Sequence, residues 1–126
     1  MLLLDAGGVS RLSRRTQDSA ALIVVLRRDA LWPPVVPSIV LVESLTGRPR
    51  NDAVINRFIK TCDVLEHLPD RLARRAGELR AHARRGSAVD AVVVATAEPG
   101  GTVLTGDTAD LGALASYAHE VVVRRI

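Results

Sequence analysis

Short apolar runs, separated by segments with helical spacing, constrain the fold of this chain more than any other feature. Residues 1–4 are apolar throughout, Val35-Val36 is a β-branched pair among prolines, and 102–105 is a second apolar run next to glycines. Short apolar runs bounded by turn residues read as buried strands. A strand is also expected over 63–68 and another over 120–124. Between them, 19–28 reads as a helix whose last residues, Arg27-Arg28, suit the negative end of its dipole. Residues 38–45 form a helix opened by Ser38 and closed by Gly47 and Pro49. Ile39-Val40 is β-branched and fits a strand equally on periodicity, but the flanking Pro37-Ser38 and Gly47 favour helix. Helices are expected over 51–61, with Val54, Ile55, Phe58 and Ile59 on one side, and over 70–85, with Leu72, Ala76, Leu79 and Ala83 as the buried stripe. Ser87 with Asp90 matches a capping box opening a helix over 88–98, and a short helix covers 111–117. Gly7-Gly8 reads as a turn. Strands alternating with helices predict an α/β fold around a parallel sheet.

A chain of 126 residues with 48% hydrophobic content is expected to form one domain, over 1–126, with a sizeable core. No apolar stretch reaches the ~20 residues that span a bilayer, and no signal peptide is evident, since Asp5 follows only four residues. Cys62 is the one cysteine, so no internal disulfide forms, and it reads as an ordinary semi-buried residue. A cytoplasmic protein is expected. The net charge is +3, and of the 17 basic residues only Lys60 is lysine. Arginine forks suit phosphate, although solvated helix faces account for most surface arginines.

Four acidic residues sit where apolar sequence surrounds them. Asp5 ends the first apolar run and Asp107 follows the one at 102–105, while Glu43 and Asp90 interrupt 39–45 and 88–97. Carboxylates are costly to desolvate without a partner, and no lysines are placed to match them. Ligands of parallel α/β sheets gather beyond the strand carboxyl ends, near the point where strand order reverses. Asp5 and Asp107 lie at such ends, and Glu43 and Asp90 in the first turns of following helices, so all four are expected on one rim. Hard oxygen donors of this kind select Mg²⁺ or Mn²⁺. Each residue also has a plainer reading. Asp5 suits a turn before Gly7, Glu43 an exposed helix face, Asp90 a cap with Ser87, and Asp107 or Asp110 a cap for the helix that includes Leu111. The conjunction favours the metal site.

Other chemistries find little support. His67, His82 and His119 lie on different elements without ligand spacing, and Ser10, Ser13 and Ser87 lack a nucleophile-elbow context. Gly100-Gly101 is not followed by Lys and Ser or Thr, which excludes a P-loop. One Trp, one Tyr and one Phe give no platform for stacking single-stranded bases. A phospho-receiver domain also clusters acids at strand ends but needs a lysine after its last core strand, and Lys60 is misplaced for that.

The chain resembles the PIN-domain ribonucleases, specifically the VapC-like toxins of type II (VapBC) toxin–antitoxin modules. The matching stretches are Leu3-Leu4-Asp5-Ala6, Pro37-Ser38-Ile39-Val40-Leu41-Val42-Glu43, Val89-Asp90-Ala91 with Ala95-Thr96-Ala97, and Leu104-Thr105-Gly106-Asp107-Thr108-Ala109-Asp110-Leu111. Their order and spacing cover essentially the whole chain. Two positions depart from the pattern: Gly7 stands where a small polar residue is usual, and Leu111 where an aromatic residue is common. The resemblance implies a three-layer α/β/α sandwich with a mainly parallel five-stranded sheet. It implies Mg²⁺- or Mn²⁺-dependent endonucleolytic cleavage of RNA, a homodimer, and inhibition by a cognate VapB-like antitoxin. Asp5, Asp90 and Asp107 then serve as metal ligands, Glu43 as ligand or water-orienting base, and Thr105 and Asp110 as auxiliary groups. The alternative is a module of the same fold that binds RNA or a protein without cleaving.

Overall fold

The computed structural model describes all residues, 1–126. Strand β1 (Leu2–Leu4) leads into helices α1 (Ala6–Ser13) and α2 (Gln17–Arg28), then strand β2 (Val35–Pro37). Helices α3 (Val40–Ser44) and α4 (Pro49–Ile59) precede β3 (Asp63–Leu65), and α5 (Asp70–Ala83) and α6 (Ala88–Ala97) precede β4 (Thr102–Thr105). Helix α7 (Thr108–Ala115) and strand β5 (Val122–Arg125) close the chain. The five strands lie in the order β3-β2-β1-β4-β5 and every pairing is parallel. The α/β fold and its five-stranded sheet are therefore as expected, and the sheet is wholly rather than mainly parallel.

Successive residues of a strand point to opposite faces. Leu2, Leu3 and Leu4 are all buried, so both faces of β1 are covered. On one side the covering comes from α1, which packs on β1 and β4 and gathers α2, α3 and α4 around it. The other group is α6, which lies on β1, β2 and β4, with α5 and α7 packed against it. The buried face of α6 is the apolar run Ala91 to Ala95 with Ala97, and the core joins it to Val9, Leu12, Val36, Val40, Leu79 and Leu114.

Several boundaries differ from the sequence-based expectations, each for a local reason. Gly7 and Gly8 stand in the first turn of α1 instead of forming a turn, because Asp5 caps that helix. Ser38 caps nothing: its hydroxyl donates to the Glu66 carbonyl and its N–H to the Leu65 carbonyl, so it extends the β2–β3 pairing. Pro49 opens α4 rather than closing α3, a position where its missing N–H is harmless. Val54 of that helix is 47% exposed and off the buried side. Strand β3 stops at Leu65, and α5 stops at Ala83 because Arg84 is left-handed, with φ 55°. Helix α7 begins at Thr108, since Asp107 caps it.

Two polar arrangements not anticipated from sequence, one buried and one half-buried, hold the layers. Asp52, 5% exposed, accepts from the Thr46 N–H and hydroxyl and from the Gly47 N–H, which ties the turn before α4 to its first residues. Those bonds, the Thr46 N–H first, keep its carboxyl below the usual carboxylate range. Arg75 of α5 grips Glu98, at the end of α6, through Nε and Nη2, both at 2.8 Å, and Glu98 also accepts from the His119 N–H at 2.8 Å. Arg75 is thus a clamp between α5, α6 and the approach to β5, not a solvated helix residue.

The Arg75 hydrogen bonds are the main reason that the Glu98 carboxyl lies below its ordinary value of 4.5. A depressed carboxylate contributes stability that is present above its unfolded value and lost as pH falls through the folded one. Glu98→Gln is expected to destabilise the protein by ~1–3 kcal/mol in urea unfolding at neutral pH. The deficit should shrink below about pH 4. An unchanged unfolding midpoint at pH 7 would show that the clamp contributes nothing.

Candidate active site at the sheet switch point

Strand order reverses between β1 and β4: the chain leaves β1 toward β2 and β3, then returns to build β4 and β5 on the other side. Connections diverge from these two strands, and a crevice opens beyond their carboxyl ends. Asp5 follows β1 and Thr105 ends β4, so both stand at that crevice. The Thr105 hydroxyl donates to Asp5 Oδ2 at 2.5 Å. The same oxygen accepts from the Asp107 N–H at 3.0 Å, and Asp107's own carbonyl lies 2.9 Å away. A hydroxyl carries one proton, and the carboxylate is the stronger acceptor, so the Asp5 contact takes it. Asp5 Oδ1 accepts from the Gly8 N–H at 2.7 Å as the cap of α1. Thr105, fully buried, therefore ties the end of β1 to the loop after β4.

The glycines make this approach possible. A Cβ on Gly8 would stand 2.5 Å from the Leu104 carbonyl oxygen, and one on Gly7 would stand 2.9 Å from the Gly106 nitrogen. Both are backbone contacts that a flexible side chain cannot relieve. The departure at Gly7 thus has a steric cause here: α1 is seated against the β4–α7 loop, where a polar side chain has no room.

Asp90 is held by the expected capping box: Ser87 Oγ accepts from the Asp90 N–H, and Asp90 Oδ2 from the Ser87 N–H, both at 3.0 Å. The capping and site readings are compatible, because the cap uses one carboxylate oxygen and fixes the side chain. Burial raises the Asp5 carboxyl above its ordinary value; the Thr105 hydroxyl and the Gly8 N–H oppose this, and the nearby Asp90 charge adds to it. Ionised Asp5 is consequently an unfavourable feature of the folded chain by itself, and a bound cation would reverse the sign.

The remaining acids are less tightly gathered. Asp107 is exposed, and its Oδ1 caps α7 by accepting from the Ala109 N–H at 3.0 Å. Asp110 lies inside α7 and pairs with Arg85 Nε at 2.9 Å, so its charge is already matched. Asp107 stands just beyond the strand end and Asp110 within the helix, and of the two it is Asp107 that caps α7. Glu43, in the first turn of α3, is exposed and takes no hydrogen bond or ion pair, and its neighbour Val42 is 77% exposed. Val40 is buried and Ile39 and Leu41 pack against the core, so the apolar residues of this segment face inward while Val42 and Glu43 turn to the surface.

No group of three or more His, Cys, Asp or Glu side chains stands close enough to hold a metal ion. A cage built entirely from protein ligands is therefore not formed. Mg²⁺ rarely needs one, since it keeps several waters and commonly takes one or two carboxylates together with phosphate oxygens. The Asp5–Asp90 pair, two hard-oxygen donors that repel each other, fits that coordination. Cys62 is no competing ligand; burial pushes its thiol up to about 11.

No family model matches the chain, and no curated protein matches it. Solved structures do. A chain of VapBC2 from Rickettsia felis, in a complex bound to a DNA fragment from the promoter, is similar with a TM-score of 0.69 at 12% identity. The match covers 100% of this chain and 99% of that one. A chain of FitAB bound to the IR36 DNA fragment is similar with a TM-score of 0.62 at 22% identity, covering 99% and 94%. The likeness shows the fold, and it is the PIN fold that the resemblance implied.

Thr105→Val removes a donor to Asp5 and an acceptor for the Asp107 N–H while keeping the side-chain shape. It is expected to lower stability by ~1–3 kcal/mol, whereas Thr105→Ser should retain most of it. Equal urea midpoints for all three proteins would show that the hydroxyl does not tie β1 to β4.

Proposed function

We propose that this chain is a metal-dependent endoribonuclease, a VapC-like toxin held in check by a cognate antitoxin. The observation that carries the reading is the position of Asp5. It stands at the switch point of a PIN-fold sheet, fixed by Thr105 and the α1 cap, with Asp90 as a like-charged neighbour. A chain gains nothing in stability by burying a carboxylate beside another, so the arrangement favours a role toward a cation.

In this reading Asp5 and Asp90 hold Mg²⁺ or Mn²⁺, with Asp107 approaching from the start of α7. When bound, the ion supplies charge neutralisation and Lewis-acid polarisation of a phosphodiester. Thr105 keeps Asp5 Oδ2 in place, and the Ser87 cap keeps the Asp90 side chain in one orientation. Glu43, free of partners, is available as a further ligand or to orient the attacking water from α3. Asp110 acts only through Arg85, which already neutralises it. The partner surface is a groove of about 200 Å³ where Ile23, Trp32, Val54 and Phe58 stand among Arg15, Arg27 and Arg57. Apolar anchors ringed by arginines suit an acidic, apolar segment of an antitoxin. The proposed assembly is a homodimer carrying that antitoxin. No helix is long and apolar enough to cross a membrane.

A second reading is a PIN-fold module that binds RNA or a protein without cleaving; the absence of a gathered set of three carboxylates favours it. The two differ in one assay. With Mg²⁺ or Mn²⁺ the purified protein is expected to cleave RNA, and Asp5→Asn to lower the rate at least ~100-fold while its circular dichroism is unchanged. Cleavage by Asp5→Asn at the parent rate would remove Asp5 from the site. Metal-dependent RNA binding without turnover by the parent would establish the second reading.

A further inference from the structure

The end of α5 and the loop after it form a concavity of about 450 Å³ lined by Gly77, Arg80, Ala81, Arg84, Arg85 and Gly86. Arg85 pairs with Asp110, whereas Arg80 and Arg84 have no carboxylate within ion-pair reach. Arg80 has only the Gly86 carbonyl, at 3.3 Å. Arg80 and Arg84 are both exposed and line the same concavity, so two like charges share it with no carboxylate to offset them. Arg84 also leaves the helical path. It holds a left-handed backbone, φ 55°, where glycine or asparagine would be less strained.

We propose that this concavity binds the phosphate backbone of the RNA strand as it runs away from the acidic rim. The inference rests on the nuclease reading above. Position connects the two: Gly86 leads through Ser87 into the cap that holds Asp90, and Arg85 joins the same loop to α7 three residues beyond Asp107. The chemistry of the lining selects a nucleic acid over a protein. Protein interfaces need apolar or aromatic anchors, and here Ala81 is the single apolar side chain among three arginines and two glycines. Guanidinium forks without an apolar floor fit phosphate oxygens, which position a strand without reading its sequence.

The test separates this site from the reaction. Binding of a 12-nucleotide single-stranded RNA by the full chain is measured in EDTA over a range of salt concentrations. In Arg80→Gln/Arg84→Asn the slope of log Kd against log salt should fall by about 1.4, for two phosphates released, or about 25-fold in Kd at 0.1 M relative to 1 M salt. Arg80→Lys/Arg84→Lys should restore most of the slope, which a purely structural role would not require. With metal, the neutral variant should raise KM for long RNA and leave kcat unchanged. A parent that binds RNA with the expected slope but cleaves none keeps this site and removes the nuclease reading. A neutral variant with the parent slope overturns the site while leaving the nuclease reading intact. Loss of binding to polyglutamate, with RNA binding intact, overturns it in favour of an acidic protein segment.

Discussion

The parallel pairing of β1 with β4 is the constraint from which the site follows. Two strands distant in sequence are brought side by side, with Leu2 opposite Thr102 and Leu4 opposite Leu104. Parallel strands cannot be joined by a tight turn, so helical crossovers must lead away from both. Those crossovers leave β1 and β4 in opposite directions, which opens the crevice. A residue following β1 and another ending β4 then meet there, and Thr105 reaches Asp5 across one hundred positions of sequence.

The same junction limits what side chains are tolerated. Helix α1 starts directly after Asp5 and presses its first turn against the Leu104 carbonyl and the Gly106 nitrogen, so Gly7 and Gly8 are needed for close approach rather than for unusual dihedral angles. The cap at Asp5, the hydroxyl at Thr105 and the cap at Asp107 are therefore one connected set of hydrogen bonds. Such a network orients carboxylates firmly, and it leaves Asp5 and Asp90 with a mutual repulsion that the protein alone does not relieve.

Arginine serves three different ends in this chain. Arg75 is a structural clamp, two-pronged on Glu98. Arg85 neutralises Asp110 and anchors the α5–α6 loop to α7. Arg80 and Arg84 remain without acidic partners, next to that loop. Composition cannot distinguish these roles, because the guanidinium is the same in each and only the presence of a carboxylate within reach differs.

Much of the architecture was legible in the amino-acid order. The apolar runs at Leu2–Leu4 and Thr102–Thr105, the stripe through Ala76 and Leu79, and the Ser87–Asp90 capping box all express local periodicity or short-range hydrogen bonding, which the sequence alone determines. So did the chain's acidic character at strand ends. Contacts made across the sheet were not legible. The helical state of Gly7-Gly8, the turning of Ser38 toward Glu66, the Asp52 turn, the Arg75–Glu98 clamp, the pairing of Asp110 and the exposure of Glu43 depend on elements far apart in sequence. Only the tertiary structure decides them, because burial and hydrogen-bond partners are set by which elements become neighbours.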